Sequence, residues 1–176
     1  MAPQHIKEIF ARDIHRDIRE VIKVDQADEE VIRAEIGEYI VTKTILSNFV
    51  EILEAYCEAP NKPGDRMAVW VSGFFGSGKS SFAKLLGLAL ANRQLGSDTT
   101  SELLASHIGD PKVQVLIKTV VEKIPTEAVI FDVATERGVM HGNQMLTEIM
   151  YRQLLEHLGY ARDLDLAELE ITLEGE

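Results

Sequence analysis

Cysteine is almost missing from this chain: of 176 residues only Cys57 carries a thiol. A lone thiol excludes an internal disulfide and has no spacing partner for a zinc site, so redox and zinc chemistry are set aside and Cys57 reads as a small residue on a helix face. Long apolar runs are missing too. No stretch of about eighteen uncharged apolar residues occurs, and Met1–Phe10 lacks the apolar core of a signal peptide, so a cytoplasmic protein with no membrane contact is expected. Positive charge is scarce. Eighteen Lys and Arg against 29 Asp and Glu leave a formal charge of −11. Broad attachment to a nucleic-acid backbone needs clustered Lys and Arg to release counterions, so direct nucleic-acid binding by this acidic chain is not expected. The acid excess is greatest at the end, where Asp163, Asp165, Glu168, Glu170, Glu174 and Glu176 occur with no Lys or Arg among them. That run reads as a solvated helix face, the alternative being an acidic contact surface for a partner. Neither an internal repeat nor a low-complexity tract breaks the chain.

What is present suffices for a folded domain, since 45% of the residues are apolar. Glu20–Val24 has the alternation of a short strand. From Asp28, placed as a cap, Ile32, Ile36, Tyr39 and Ile40 recur at helical spacing. The β-branched Ile40-Val41-Thr42 weakens that helix, and Thr42 can cap a second one carrying Ile45, Leu46, Phe49, Val50, Leu53 and Tyr56 as far as about Cys57. Ala59–Asp65, with two prolines and a glycine, is a loop. Met67–Ser72 is a continuous apolar run, suited to a strand covered on both faces of a parallel sheet. Ser81–Ala91 reads as a helix, and further helices are expected at Ser101–His107 and, with Asp110 as cap and Pro111 at the first position, at Lys112–Lys123. Ala128–Ala134 reads as a second buried strand. Gly138–Gly142, with His141 as a polar residue within it, is a loop, and Asn143 caps a helix carrying Leu146, Ile149, Met150, Leu154 and Leu158 that Gly159 stops. This order predicts an α/β fold: a P-loop NTPase parallel sheet in residues 65–176, entered through an N-terminal extension of one strand and two helices in residues 1–64.

Between the first expected strand and its helix stands Gly73-Phe-Phe-Gly-Ser-Gly-Lys79-Ser80, a full match to G-x-x-x-x-G-K-[ST] in the context the motif requires. Gly73, Gly76 and Gly78 permit the torsions and close approach by which backbone N–H groups surround phosphates. The helix that follows adds the positive end of its dipole. Lys79 is expected at the β- and γ-phosphates, Ser80 on Mg²⁺ and Ser81 near the α-phosphate, with Phe74, Phe75 and Ser77 contributing backbone to the cradle. The Phe74 and Phe75 side chains are expected to pack on neighbouring helices. Hydrolysis demands more: a second carboxylate for Mg²⁺ and a residue that positions water. Asp132, in an apolar run as a Walker B aspartate would be, and Glu136 just beyond it are the candidates. Asp132 is followed by Val133-Ala134 and not by an acid, which favours a true Walker B strand elsewhere.

The segment Asp65-Arg-Met-Ala-Val-Trp-Val-Ser-Gly-Phe-Phe-Gly-Ser-Gly-Lys-Ser80 is more specific than the generic motif, because Trp70 and the Phe74-Phe75 pair are not needed to hold phosphate. Together with Ile6–Asp13, Val21–Asp25, Glu38–Thr42 and Gly159-Tyr160, it resembles the N-terminal part of the large P-loop ATPase of BREX bacteriophage-exclusion systems, the BrxC/PglY family. Members of that family are similar to AAA+ and STAND ATPases and run to great length. The resemblance implies an incomplete AAA+-like core, with the Walker B strand, the sensors and any arginine finger beyond Glu176. It implies ATP and Mg²⁺ as cofactors and the other components of a phage-defence complex as partners, with self-association left open. Carried over from AAA+ relatives, it also implies Ile40, Val41 and Thr42 beside the adenine. A module that uses nucleotide as a structural ligand for oligomerisation, and a small P-loop kinase, stand as rival readings.

Overall fold

The computed structural model describes residues 9–10, 15, 28–62, 67–133, 146–161 and 163–174. Seven α-helices dominate those residues. In helix α1 (Glu29–Glu38), Asp28 caps the start by accepting from the N–H groups of Glu30 and Val31, and Ile32 and Ile36 are buried one turn apart. Helix α2 (Lys43–Glu58) begins at Thr42, whose hydroxyl accepts from Ile45 N–H at 3.3 Å, and it buries Phe49 and Leu53. A 3₁₀ turn over Ala59–Asn61 ends it. Helix α3 (Lys79–Ala91) leads through Asn92, in the left-handed region at φ 47°, into a small antiparallel hairpin of β1 (Gln94–Leu95) and β2 (Asp98–Thr99). Helix α4 (Thr100–Ile108) carries a capping box in which Thr99 and Glu102 satisfy each other's backbone N–H. Helix α5 (Pro111–Lys123) starts on the expected Asp110 cap and first-position proline. Helix α6 (Leu146–His157) stops at Gly159, φ 90°, where Tyr160 N–H reaches Leu155 O and Gly159 N–H reaches Glu156 O in a Schellman motif. Helix α7 (Leu164–Glu174) holds the acidic end of the chain.

The expected parallel sheet is not there. Among the described residues the only ladder is the two-stranded antiparallel hairpin β1–β2, so a parallel-sheet P-loop NTPase core is overturned as the fold of this structure. Met67–Ser72 forms no ladder and lies exposed, with Val69 at 47% and Trp70 at 90%. The stretch 128–133 also forms no strand and is half-buried apart from exposed Asp132. An apolar run satisfies only the side-chain condition for a buried strand; its N–H and C=O groups still need neighbours on both edges. No described segment runs beside either stretch as a ladder partner. The strand expected at Glu20–Val24 lies outside the described residues.

A helical core replaces the sheet. Ile32 and Ile36 of α1, Phe49 and Leu53 of α2, Phe82, Leu85 and Leu88 of α3, Leu104 of α4, and Val113 and Ile117 of α5 form one buried cluster. Thus α1 and α2, expected as an extension, share their apolar core with the helix that follows the glycine loop. The Phe49 ring stands edge-on to Tyr39 at 6.5 Å and tilted against Phe82 at 4.8 Å. Polar ties complete the packing. Lys84 of α3, 1% exposed, lies 2.7 Å from Glu35 of α1, and Arg33 of α1 donates to Asp98 at 2.9 Å and to the carbonyl of Leu95 in the hairpin. Thr100 and Ser101 donate to the carbonyls of Leu88 and Ala89, so the start of α4 satisfies groups that the end of α3 leaves unpaired.

Candidate functional site

The glycine loop delivers its geometry at the start of α3. Gly76 and Gly78 have φ of 76° and 83°, values that a side chain resists, and Gly78 is the cap of the helix. Gly73 is required for a different reason: a Cβ there would fall 2.7 Å from Ser77 Oγ. The first bond closing α3 runs from Phe82 N–H to Gly78 O at 2.9 Å. The N–H groups of Lys79, Ser80 and Ser81 precede it and have no partner within the helix, and no side chain caps the end. Phe74 O accepts from Ser77 N–H at 3.2 Å and from Lys79 Nζ at 2.7 Å, which folds the lysine back over its own loop. Ser80 is exposed and Ser81 half-buried on the first turn. These parts suit an anion: N–H groups, a helix dipole and an ammonium converge there, and no acidic residue stands in the first turn.

A phosphate chain with Mg²⁺ fits these residues. The glycine positions leave free the space that side chains would fill, the first-turn N–H groups and Lys79 would hold phosphate oxygens, and the Ser80 hydroxyl would be the protein's ligand to the metal. Among the described residues no cluster of three or more His, Cys, Asp or Glu is arranged to hold a metal without such phosphates.

Other expected positions fall elsewhere. Phe74 and Phe75 are not packed on helices: they are 91% and 105% exposed, on a loop that projects past the core. Asp132 is exposed and lies two residues beyond Ile130, whose side chain packs on Gly87 of α3. Gly87 is eight residues from Lys79, about 12 Å along the helix. Glu136 and His141 lie outside the described residues. Ile40 is 79% exposed, Val41 is half-buried and Thr42 is occupied in capping α2. None of the three lines the cavity beside the loop.

That cavity, of about 590 Å³, lies between α2, the Met67–Ser72 segment and the start of α3. Ser77, Gly78 and Lys79 form part of its wall, and Tyr39, Ile45, Asn48, Glu51 and Ile52 form another. Burial raises the Tyr39 hydroxyl above its ordinary pKa. Sequence reading missed Asn48 and Glu51. The signal was the spacing 45, 48, 52, 55, with 51 beside it, which puts these residues on one side of α2 away from the buried pair Phe49 and Leu53.

No protein-family model matches this chain, and no solved structure matches it. None of its described helices is long and apolar enough to cross a membrane.

Proposed function

We propose that Gly73–Ser81 binds the phosphates of ATP with Mg²⁺, and that the protein is a nucleotide-responsive module of a BREX-type bacteriophage-defence complex. The observation that carries the phosphate reading is the open N-terminus of α3: glycine-capped, free of acid in its first turn, and overhung by Lys79. The defence role rests on the resemblance of the segment from Asp65 to Ser80. Bound Mg²⁺ would neutralise phosphate charge and polarise the terminal phosphoryl group. Lys79 would exchange the Phe74 carbonyl for a phosphate oxygen, so that nucleotide binding releases a contact inside the loop. Phe74 and Phe75, exposed on that loop, would move with it, which is how binding in the site would change a surface offered to partners. Those same exposed rings, with Trp70, favour a second reading in which the nucleotide serves assembly without turnover.

Thermal unfolding with and without ATP and Mg²⁺ tests the phosphate reading. At a hundredfold excess over Kd, binding to the folded state adds about 2.7 kcal/mol, or roughly 5–11 °C for a chain of this size. Lys79→Ala is expected to abolish the shift. Equal shifts in both proteins would remove the loop from the reading.

A further inference from the structure

The cavity beside the loop is a continuation of the phosphate site, since Ser77, Gly78 and Lys79 belong to its wall. A nucleotide whose phosphates lie at the start of α3 can extend its nucleoside along this cavity, and about 590 Å³ is of the size that takes a drug-sized ligand. Its walls carry what a planar base needs. Ile45, Ile52, Trp70 and Phe82 offer apolar surface, and Asn48 and Glu51, three residues apart on α2, offer polar groups. Among the described residues neither Asn48 nor Glu51 makes a hydrogen bond or an ion pair, so both are available.

We infer that this cavity is the nucleobase pocket, that it takes adenine, and that Glu51 reads the 6-amino group while Asn48 meets a ring nitrogen. The inference rests on the phosphate reading above. An ionised carboxylate only accepts, so it rewards a base edge that donates. Adenine turns an N6–H toward it. A 6-oxo purine turns a carbonyl toward it, setting two acceptors against each other with no proton between them. The amide of Asn48 supplies the donor that an adenine ring nitrogen accepts. This places the base against α2 and not against Ile40, Val41 and Thr42, none of which lines the cavity.

The test measures binding of Mg²⁺ with tripolyphosphate, ATP, ITP and GTP to the full chain and to Glu51→Gln and Lys79→Ala. Wild type is expected to prefer ATP to ITP by about tenfold, the worth of one hydrogen bond to a charged group. In Glu51→Gln the preference should shrink to about twofold because ITP binds more tightly, an amide being able to donate to the 6-oxo group. A gain for ITP cannot come from a damaged fold. Tripolyphosphate should bind wild type and Glu51→Gln alike and fail with Lys79→Ala. Equal ATP and ITP affinities in wild type, with tripolyphosphate still bound through Lys79, would overturn the base pocket and leave the phosphate site standing. GTP binding more tightly than ATP would overturn the assignment to adenine. No binding of tripolyphosphate or ATP at all would overturn both.

Discussion

Glu35→Gln should be among the costliest substitutions in this protein, although it changes only one atom of a side chain. Its carboxylate Oε2 lies 2.7 Å from Nζ of Lys84, and the two side chains are 13% and 1% exposed. The contact is an ion pair, not an aligned hydrogen bond, because Oε2 is otherwise buried without a hydrogen-bond partner. At an effective dielectric of about 20 the Coulomb attraction is roughly 6 kcal/mol, against a desolvation penalty of several kcal/mol for each ion. The pair therefore adds little net stability, yet removing the Glu35 carboxylate takes a negative charge from beside an ammonium that is 1% exposed, so the cost of burying that ammonium is less fully offset. That asymmetry sets the expected loss for Glu35→Gln at about 3–5 kcal/mol, a large share of the roughly 5–15 kcal/mol that holds a domain together. The melting temperature should fall by roughly 6–20 °C. The double variant Glu35→Leu/Lys84→Met removes both charges of the pair and keeps the volume, and it should be more stable than the sum of the two single losses predicts. Urea unfolding followed by far-ultraviolet circular dichroism measures Glu35→Gln and the four corners of the cycle, wild type, Glu35→Leu, Lys84→Met and the double variant, and burial makes the coupling only weakly sensitive to salt. A loss under about 0.5 kcal/mol for Glu35→Gln, or a double variant as unstable as the two single losses added, would refute the reasoning.

Phe49→Ala should cost about 3–5 kcal/mol, since its fully buried ring joins Tyr39 to Phe82, and a loss below about 1 kcal/mol in the same urea assay would show that the core closes over the gap. Gly78→Ala should weaken the thermal protection by ATP and Mg²⁺ while costing about 1–2 kcal/mol, because a Cβ there has open space around it but sits at φ 83°. Unchanged protection would mean that the cap torsion does not shape the phosphate site. Cys57 should alkylate slowly at pH 7 and faster only as pH passes the ordinary thiol range. Burial and then the Glu54 carboxylate push its pKa up, with Lys123 pulling the other way. The folded-state value lies above the unfolded one, so any stability from the neutral thiol is present below the unfolded pKa and fades as pH rises through the folded one. Iodoacetamide labelling against pH checks this, and fast labelling at pH 7 would contradict it.

Five helix landmarks are legible in the sequence alone: Asp28, Thr42, Asp110 with Pro111, and Gly159 each begin or end a helix where expected. Each acts on backbone groups within about five residues, so the information is local and the sequence carries it. The capping box at Thr99 and Glu102 and the turn at Gly96-Ser97 are equally local but went unread, though Gly-Ser between short strands is a hairpin signal. The glycine loop is legible for the same reason: its torsions and the start of α3 are properties of consecutive residues.

What the sequence could not decide was company. Met67–Ser72 has the composition of a central strand, but a ladder depends on other segments arriving at its edges, and among the described residues none does. Leu146, Ile149, Met150, Leu154 and Leu158 are the apolar residues by which the sequence marks α6 as a helix, yet Ile149 and Leu155 are its buried residues and the other four are exposed. Periodicity locates an apolar stripe; only packing chooses which part of it is covered. The cavity on α2 is the same lesson at the site. Asn48 and Glu51 are some thirty residues from Lys79 in sequence, and they line the same cavity because the fold brings α2 beside the start of α3, where the Phe49 and Phe82 rings meet. Local chemistry determined the torsions of the glycine loop and the open N-terminus of α3, and tertiary packing decided what stands beside them.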